Sequence, residues 1–239
     1  MSRNKPKIYA HRGASKDFPE HTQRAYEGAI EQGADGFECD VRLTKDGVPV
    51  LWHDSDMTRN ANYPGLIANL TLKEIQGRYP QIMTLGELID LAIENKKDLA
   101  IETKHPVPTG RDIERVVKNE LLKRKESIAK SGIEISMMSF SWSAIEVFKG
   151  MNLNINTVML LNERTSKLRR RFTSAETFGP GIKELKKNPD LVRDAKEKGK
   201  RTFVWTVDQP EDVLFCAKIG VDVVITNKPG QARKLLGYP

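Results

Sequence analysis

The chain has little of several things that would place it quickly. Cysteine is nearly absent: Cys39 and Cys216 are the two among 239 residues, and each sits inside an apolar pattern. That excludes a disulfide framework and zinc-ligand spacing, and it reads both thiols as buried and free. No run approaches the roughly 18 apolar residues that a membrane span needs. The apolar part of MSRNKPKIYAHRG is too short for the core of a signal peptide. A cytoplasmic protein without stable membrane association is the expectation. Repeats of fixed period and low-complexity tracts are missing as well. Charge of one sign is in modest excess, 39 Lys and Arg against 32 Asp and Glu, for a net +7. That favours anionic ligands, but nucleic-acid binding wants a localised stripe. The main basic cluster is only Lys167-Leu168-Arg169-Arg170-Arg171, which reads as a solvated face, so no nucleic-acid function is expected.

What is present centres on Phe37–Asp54, FECDVRLTKDGVPVLWHD. Glu38, Asp40 and Arg42 alternate with Phe37, Cys39 and Val41. Strand period is two, so both carboxylates fall on one face and the apolar set on the other. Asp46-Gly47 between two such runs signals a hairpin with a two-residue type I′ turn. That register sets Thr44 opposite Pro49 and Asp40 opposite His53. Pro49 then occupies a non-hydrogen-bonded pair, where its missing N–H costs nothing. Asp40 and His53 fall in another such pair, with side chains roughly 5 Å apart on one face. A three-residue loop would slip the register and turn His53 away.

Strand-like and helix-like runs alternate along the rest of the chain, which implies parallel βαβ units. Thr22 is placed to cap a helix running to Gly33, and Thr71 with Glu74 and Thr84 with Glu87 read as capping boxes. Nine strand-like runs start near residues 7, 36, 48, 98, 133, 157, 177, 201 and 221. The run from Val48 follows a tight turn and must be antiparallel, so it cannot be a barrel strand. Eight remain, the number that closes a (β/α)8 or TIM barrel. The expected fold is therefore an α/β TIM barrel over one domain, 1–239, with a hairpin extension after the second strand. A doubly wound sheet is the rival, but His11-Arg12-Gly13-Ala14 lacks its glycine fingerprint.

In such a barrel the site lies at the C-terminal ends of the strands. His11 and Arg12 end the first strand, Glu38 and Asp40 lie on the second, Glu102 and Lys104 on the third, and Trp205 on the seventh. Three carboxylates at one mouth resist desolvation, so they would be protonated or bind a cation. All-oxygen ligation suits Mg²⁺ or Ca²⁺ better than Zn²⁺. His11 and His53 facing such a metal suggest general acid and general base. Arg12 and Lys104 supply fixed positive charge for an anion, most simply a phosphate. The set reads as metal-assisted phosphodiester cleavage.

Ten short matches in order span Ala10 to Pro229 and carry a family resemblance. They are His11-Arg12-Gly13, Pro19-Glu20-x-Thr22, Glu38-x-Asp40-Val41, Thr44-Lys45-Asp46-Gly47, His53-Asp54, Thr84-Leu85, Glu102-x-Lys104, Ser139-Phe140, Trp205-Thr206-Val207, and Gly220-Val221-Asp222 with Ile225-Thr226. With them the sequence resembles the glycerophosphodiester phosphodiesterase family. The resemblance implies a TIM barrel that hydrolyses a small-molecule glycerophosphodiester to glycerol 3-phosphate and an alcohol. It gives His11 and His53 as the acid–base pair and Glu38, Asp40 and Glu102 as the holders of one divalent cation. Arg12 and Lys104 would contact phosphate, and Trp205 would touch substrate. The implied route attacks through the substrate's own 2-hydroxyl and passes through a cyclic phosphate. Four positions depart from the pattern: His21, Asp208 and Asn227 stand where the family has Asn, Asn and Asp, and Asn60 follows Arg59 in place of Thr. None is expected to touch the acid–base or metal set. A lysophospholipase D acting on lipid and a non-catalytic anion-binding barrel are the competing readings.

Overall fold

The computed structural model describes residues 5–151, 153, 155–163, 165 and 172–239. The basic run Lys167–Arg171 lies outside the described residues. Eight parallel strands close a barrel: β1 (Lys7–His11), β2 (Gly36–Leu43), β6 (Asp98–Thr103), β7 (Ile135–Ser139), β8 (Asn156–Leu161), β9 (Thr177–Pro180), β10 (Arg201–Val204) and β11 (Val223–Thr226). Closure is made by β1, which pairs with β11 on one side and β2 on the other. Nine strand-like runs in the sequence correspond to these eight and to β3 (Pro49–Leu51), which pairs antiparallel with β2.

The helices lie where apolar spacing and caps place them. Thr22 accepts from the Ala25 N–H and starts α1 (Gln23–Glu31). Both expected capping boxes are formed, opening α3 (Leu72–Arg78) and α4 (Leu85–Glu94). The remaining long helices are α5 (Asp112–Lys123), α7 (Trp142–Gly150), α9 (Asp190–Glu197), α10 (Pro210–Ile219) and α11 (Pro229–Leu235). Among the short helices, α6 (Lys125–Ser131) and α8 (Ile182–Lys187) had no sequence signal. Alternation along each strand splits the core in two. Phe37, Cys39 and Val41 pack outward against the helices, whereas Tyr9, Ala100, Met138, Val158 and Phe203 fill the barrel. Both cysteines are buried and free.

The hairpin departs from expectation. Val41 stands opposite Leu51, Arg42 opposite Val50 and Leu43 opposite Pro49, one residue away from the expected register. Thr44 N–H donates to Val48 O at 3.0 Å, so the loop is the three residues Lys45-Asp46-Gly47. Only Gly47 in it has a positive φ, 77°, whereas a type I′ turn would require one at Asp46 too. This is the type I turn with a left-handed glycine that three-residue hairpins favour. Asp40 consequently pairs with Trp52, whose N–H donates to its carbonyl at 3.0 Å, and not with His53. Pro49 still falls in a non-hydrogen-bonded pair, because it sits one step beyond the closing pair in either register. The proline test could not tell the two apart.

Beyond β3 the chain forms a small module of its own. β4 (Asp56–Met57), α2 (Thr58–Ala61) and β5 (Tyr63–Leu66) precede a 3-10 turn at Ile67–Asn69. Trp52, Met57, Ile67, Ile75 and Tyr79 form its separate core. At the end of β1, Gly13 allows the opposite kind of closeness: its φ is +85° and an added Cβ would lie 2.6 Å from Ala25. The His11-Arg12-Gly13 turn is thereby pressed onto α1.

Nothing lies within 4 Å of the position a Cβ would take at Gly47. Gly47→Ala therefore reports backbone strain alone, and it is expected to lower stability by about 1–2 kcal/mol in urea unfolding. Asp46→Gly should bring no gain, since Asp46 is not left-handed here. A gain there would restore the two-residue turn.

Candidate active site

Barrel register assembles the charged residues. Parallel pairing sets His11 beside Glu38 and Asp40 beside Glu102. The oxygens of Glu38, Asp40 and Glu102 come within 4.8 Å of one another, and all three residues are buried. Asp40 is the hub. Its Oδ2 lies 2.9 Å from Arg12 Nε and 3.0 Å from His21 Nε2, and its Oδ1 lies 2.7 Å from Lys104 Nζ. The Lys104 ammonium also reaches Glu102 Oε1 at 2.9 Å.

These contacts set the protonation of the cluster. Burial alone would push Asp40 upward, but Lys104 and Arg12 hold its carboxyl well below the ordinary range. Burial, and after it Asp40, pushes Glu38 well above its usual value. The same two causes push Glu102 up to about 7. Arg12 and Lys104 are pulled down by burial and more than restored by Asp40, so both stay charged. Two cations against three carboxylates leave one negative charge uncompensated, and the raised carboxyls of Glu38 and Glu102 are where a proton cancels it. A divalent cation would instead draw all three carboxylates together as ligands. The donors are all hard oxygens. Asp40 Oδ1, moreover, is buried with the ammonium near but no aligned hydrogen-bond partner. The carboxylate set fits such an ion.

Each catalytic candidate histidine is tied at Nδ1. His11 Nδ1 lies 2.7 Å from Asn227 Oδ1, and its Nε2 lies 3.8 Å from Glu38 Oε2. Burial and then Arg12 push it down to about 4. His53 Nδ1 lies 2.7 Å from Asp54 Oδ1. Burial lowers His53, with Lys104 and Arg12 acting against the pull of Asp40. The slipped hairpin does not turn His53 away. β3 ends at Leu51, the chain bends, and Arg42 Nε donates to the His53 carbonyl at 3.0 Å. His11 and His53 line one cavity of about 100 Å³ together with Arg12, Glu38, Glu102 and Lys104. Trp205 walls it, its Nε1 donating to Gly179 O at 2.7 Å and its ring meeting Phe140 edge-on at 5.4 Å. His53, Glu102, Lys104 and Phe140 also border a wider outer cavity of about 490 Å³ that includes Arg59 and His105. Of the candidate site residues, His11, Arg12, Glu38, His53, Glu102, Lys104 and Trp205 line these cavities, and Asp40 is buried behind them on Arg12 and Lys104.

Several residues at the mouth were missed. Glu20 accepts from Arg12 Nη1 at 3.2 Å and from Arg59 Nη2 at 2.6 Å. Arg59 and Arg12 outweigh burial and hold Glu20 down at about 2. Arg59 Nε continues to Asp54 Oδ2 at 2.6 Å, so an unbroken chain of charge runs from Asp40 to His53. Two of the four departures from the family pattern touch the acid–base or metal set, contrary to expectation: His21 binds Asp40, and Asn227 binds His11. The other two stay outside that set as expected, Asp208 binding Asn227 at 2.5 Å and Asn60 reaching Glu20 at 3.3 Å. Asp208 and Asn227 follow the last two barrel strands, so the strand-end rule that found Glu38 and Glu102 would have found them. His105 flanks the site and pairs with the buried Glu114 at 2.6 Å.

Comparison with known proteins agrees with this geometry. The model of the glycerophosphoryl diester phosphodiesterase family matches residues 11–231. A Mycobacterium tuberculosis protein named "Probable glycerophosphodiester phosphodiesterase 1" is 34% identical over 97% of this chain and 92% of its own. The Caldanaerobacter subterraneus glycerophosphodiester phosphodiesterase is 34% identical over 93% of this chain and 94% of its own. Among solved structures, a glycerophosphodiester phosphodiesterase of Parabacteroides distasonis superposes with a TM-score of 0.84 at 28% identity, covering 99% of this chain and 98% of that one. The Thermotoga maritima enzyme gives 0.81 at 28% identity, covering 96% and 98%.

The raised carboxyl of Glu102 makes stability depend on pH. Below about its ordinary 4.5 it is protonated folded and unfolded alike; above about 7 it is ionised in both, but in the folded chain that charge is buried and lies beside Asp40. Its folded pKa is raised, so stability falls as pH rises through that window. Glu102→Gln should stabilise the metal-free protein at pH 8 by up to about 3 kcal/mol, with the gain fading towards pH 4.5. Denaturant unfolding in EDTA across that range checks it, and a gain independent of pH would refute it.

Proposed function

The chain belongs to the glycerophosphoryl diester phosphodiesterase family and hydrolyses glycerophosphodiesters, and we propose that it releases glycerol 3-phosphate and an alcohol by two-histidine acid–base catalysis with one divalent cation. The observation that carries this is one cavity shared by His11 and His53 with Glu38, Glu102, Arg12 and Lys104, with Asp40 converging on the same two carboxylates within 4.8 Å. Glu38, Asp40 and Glu102 would hold Mg²⁺ or Ca²⁺, which when bound neutralises charge on the phosphoryl oxygens and acidifies the attacking hydroxyl. Arg12 and Lys104 keep their charge and orient the phosphate.

One imidazole takes the proton of the substrate's 2-hydroxyl while the other gives one to the departing alcohol. With both Nδ1 atoms engaged, Nε2 is the working nitrogen of each ring. Attack by a hydroxyl of the substrate itself gains from proximity and explains why no serine or cysteine nucleophile is needed. The cyclic phosphate so formed is opened by water with the two histidines exchanging roles. Trp205 and Phe140 shield the inner cavity, and the alcohol leaves through the wider outer one. Residues 1–239 serve as a single catalytic domain, since strands from both ends of the chain close the barrel. The reading is of a cytoplasmic enzyme for small-molecule substrates, consistent with two free buried thiols. No helix among the described residues is long and apolar enough to cross a membrane.

Release of glycerol 3-phosphate from glycerophosphocholine tests the proposal. EDTA should abolish turnover and added Mg²⁺ or Ca²⁺ restore it. His11→Ala and His53→Ala should each lose about 10²–10⁴-fold in rate. Undiminished turnover in the chelated sample or in either variant would sink the mechanism.

A further inference from the structure

We propose that Asp208 is a positioning residue: through the side chain of Asn227 it holds His11 in the tautomer with hydrogen on Nδ1, leaving Nε2 free to exchange a proton with substrate. The inference rests on His11 being one of the two catalytic histidines.

The His11–Asn227 contact alone fixes nothing. An imidazole nitrogen donates or accepts according to tautomer, and an amide can turn either its oxygen or its NH₂ towards it. Ser15 does not settle the choice. Its hydroxyl lies 2.7 Å from Asn227 Oδ1 and 2.7 Å from the His11 carbonyl, with one hydrogen for two acceptors. Turning the amide over would give Ser15 a donor from Asn227 and free that hydrogen for His11 O. Ser15 therefore favours the opposite orientation.

Asp208 overrides it. Its Oδ1 accepts the Asn227 backbone N–H at 2.8 Å and the Thr226 hydroxyl at 3.0 Å, which fixes the carboxylate. Its Oδ2 then lies 2.5 Å from Asn227 Nδ2. A carboxylate accepts only, so the amide nitrogen must face Asp208, and an inverted amide would set two oxygens in repulsion at that distance. The amide oxygen is left for His11, whose Nδ1 must carry the hydrogen. Nε2 then presents its lone pair to the inner cavity, 3.8 Å from Glu38. With the amide inverted, Nδ1 would accept, and the hydrogen would sit on Nε2 facing Glu38, where the ring can take no proton from substrate.

The same parity supplies the test. In Asp208→Asn the backbone N–H of residue 227 still demands the oxygen, so the new NH₂ faces the Asn227 side chain. Asn227 then turns its oxygen to residue 208 and its NH₂ to His11, and the tautomer inverts. Adding Asn227→Asp restores an acceptor to both neighbours and with it the original tautomer. Asp208→Asn is expected to lose about 10²–10⁴-fold in kcat with KM little changed, and the double variant to recover to within about tenfold of wild type. ¹⁵N NMR of His11 should show hydrogen on Nδ1 in the wild type and the double variant, and on Nε2 in the single variant. Wild-type kcat in Asp208→Asn, or hydrogen retained on Nδ1 there, would overturn the proposal. So would a loss of activity or of thermal melting that the second exchange does not repair, which would make Asp208 a mere support of its loops. Full turnover in His11→Ala would instead sink the catalytic reading of His11, while the NMR comparison still decides the tautomer.

Discussion

Three carboxylates buried within 4.8 Å of one another are the constraint to which the whole mouth answers. Left alone they would not ionise together in a dry pocket. Asp40 is kept charged by taking Arg12, Lys104 and His21 at once, and the repulsion is passed to Glu38 and Glu102, whose carboxyls rise. Two of those partners are reached only through unusual backbone. Arg12 and His21 have φ of 58° and 61°, left-handed values that cost side-chain-bearing residues about 1–3 kcal/mol each. Such conformations persist where surrounding contacts over-determine them, and here the contacts are with Asp40.

Around that centre the polar groups form continuous lines. One runs from Asp40 through Arg12, Glu20, Arg59 and Asp54 to His53. A second runs from His11 through Asn227 to Asp208. Both end on the Nδ1 of a histidine; Asn227 and Asp208 follow barrel strands, whereas Asp54 and Arg59 belong to the segment after β3. The barrel fixes where the strands end, and the loops fix which way the rings face.

The fold was legible because its signals are periodic and redundant. Alternation in FECDVRL fixed which side chains face the mouth, and the strand count survived uncertainty about any one boundary. The hairpin register was not legible. Type I′ and three-residue loops both accept Asp-Gly, and Pro49 is equally comfortable in either, so the two cues were not independent. His21 was out of reach for another reason. Its approach to Asp40 depends on a left-handed residue in the loop before α1, and that conformation is not written in the residue type. Asp208 and Asn227 were readable and were passed over because each was judged singly. In space they are one pair, with the amide and carboxylate interchanged relative to the family pattern, so complementarity is kept although both positions differ.

The failed register also shows what holds the second histidine. Had the β2–β3 ladder placed His53, a slip by one residue would have carried it to the other face. It does not, because the last hydrogen bond of the ladder is made by Trp52 and the histidine beyond it is held by side chains: Arg42 on its carbonyl and Asp54 on its ring. Arg42 belongs to the same alternation as Glu38 and Asp40, so the strand that carries the carboxylates also tethers His53. The two histidines are thereby differently built. The side chain of His11 is 15% exposed at the end of a barrel strand, and that of His53 is 35% exposed on the wall of the outer cavity. On the proposed mechanism the glycerol phosphate is common to all substrates and the alcohol varies. His11 borders the inner cavity, and His53 borders both it and the wider outer one.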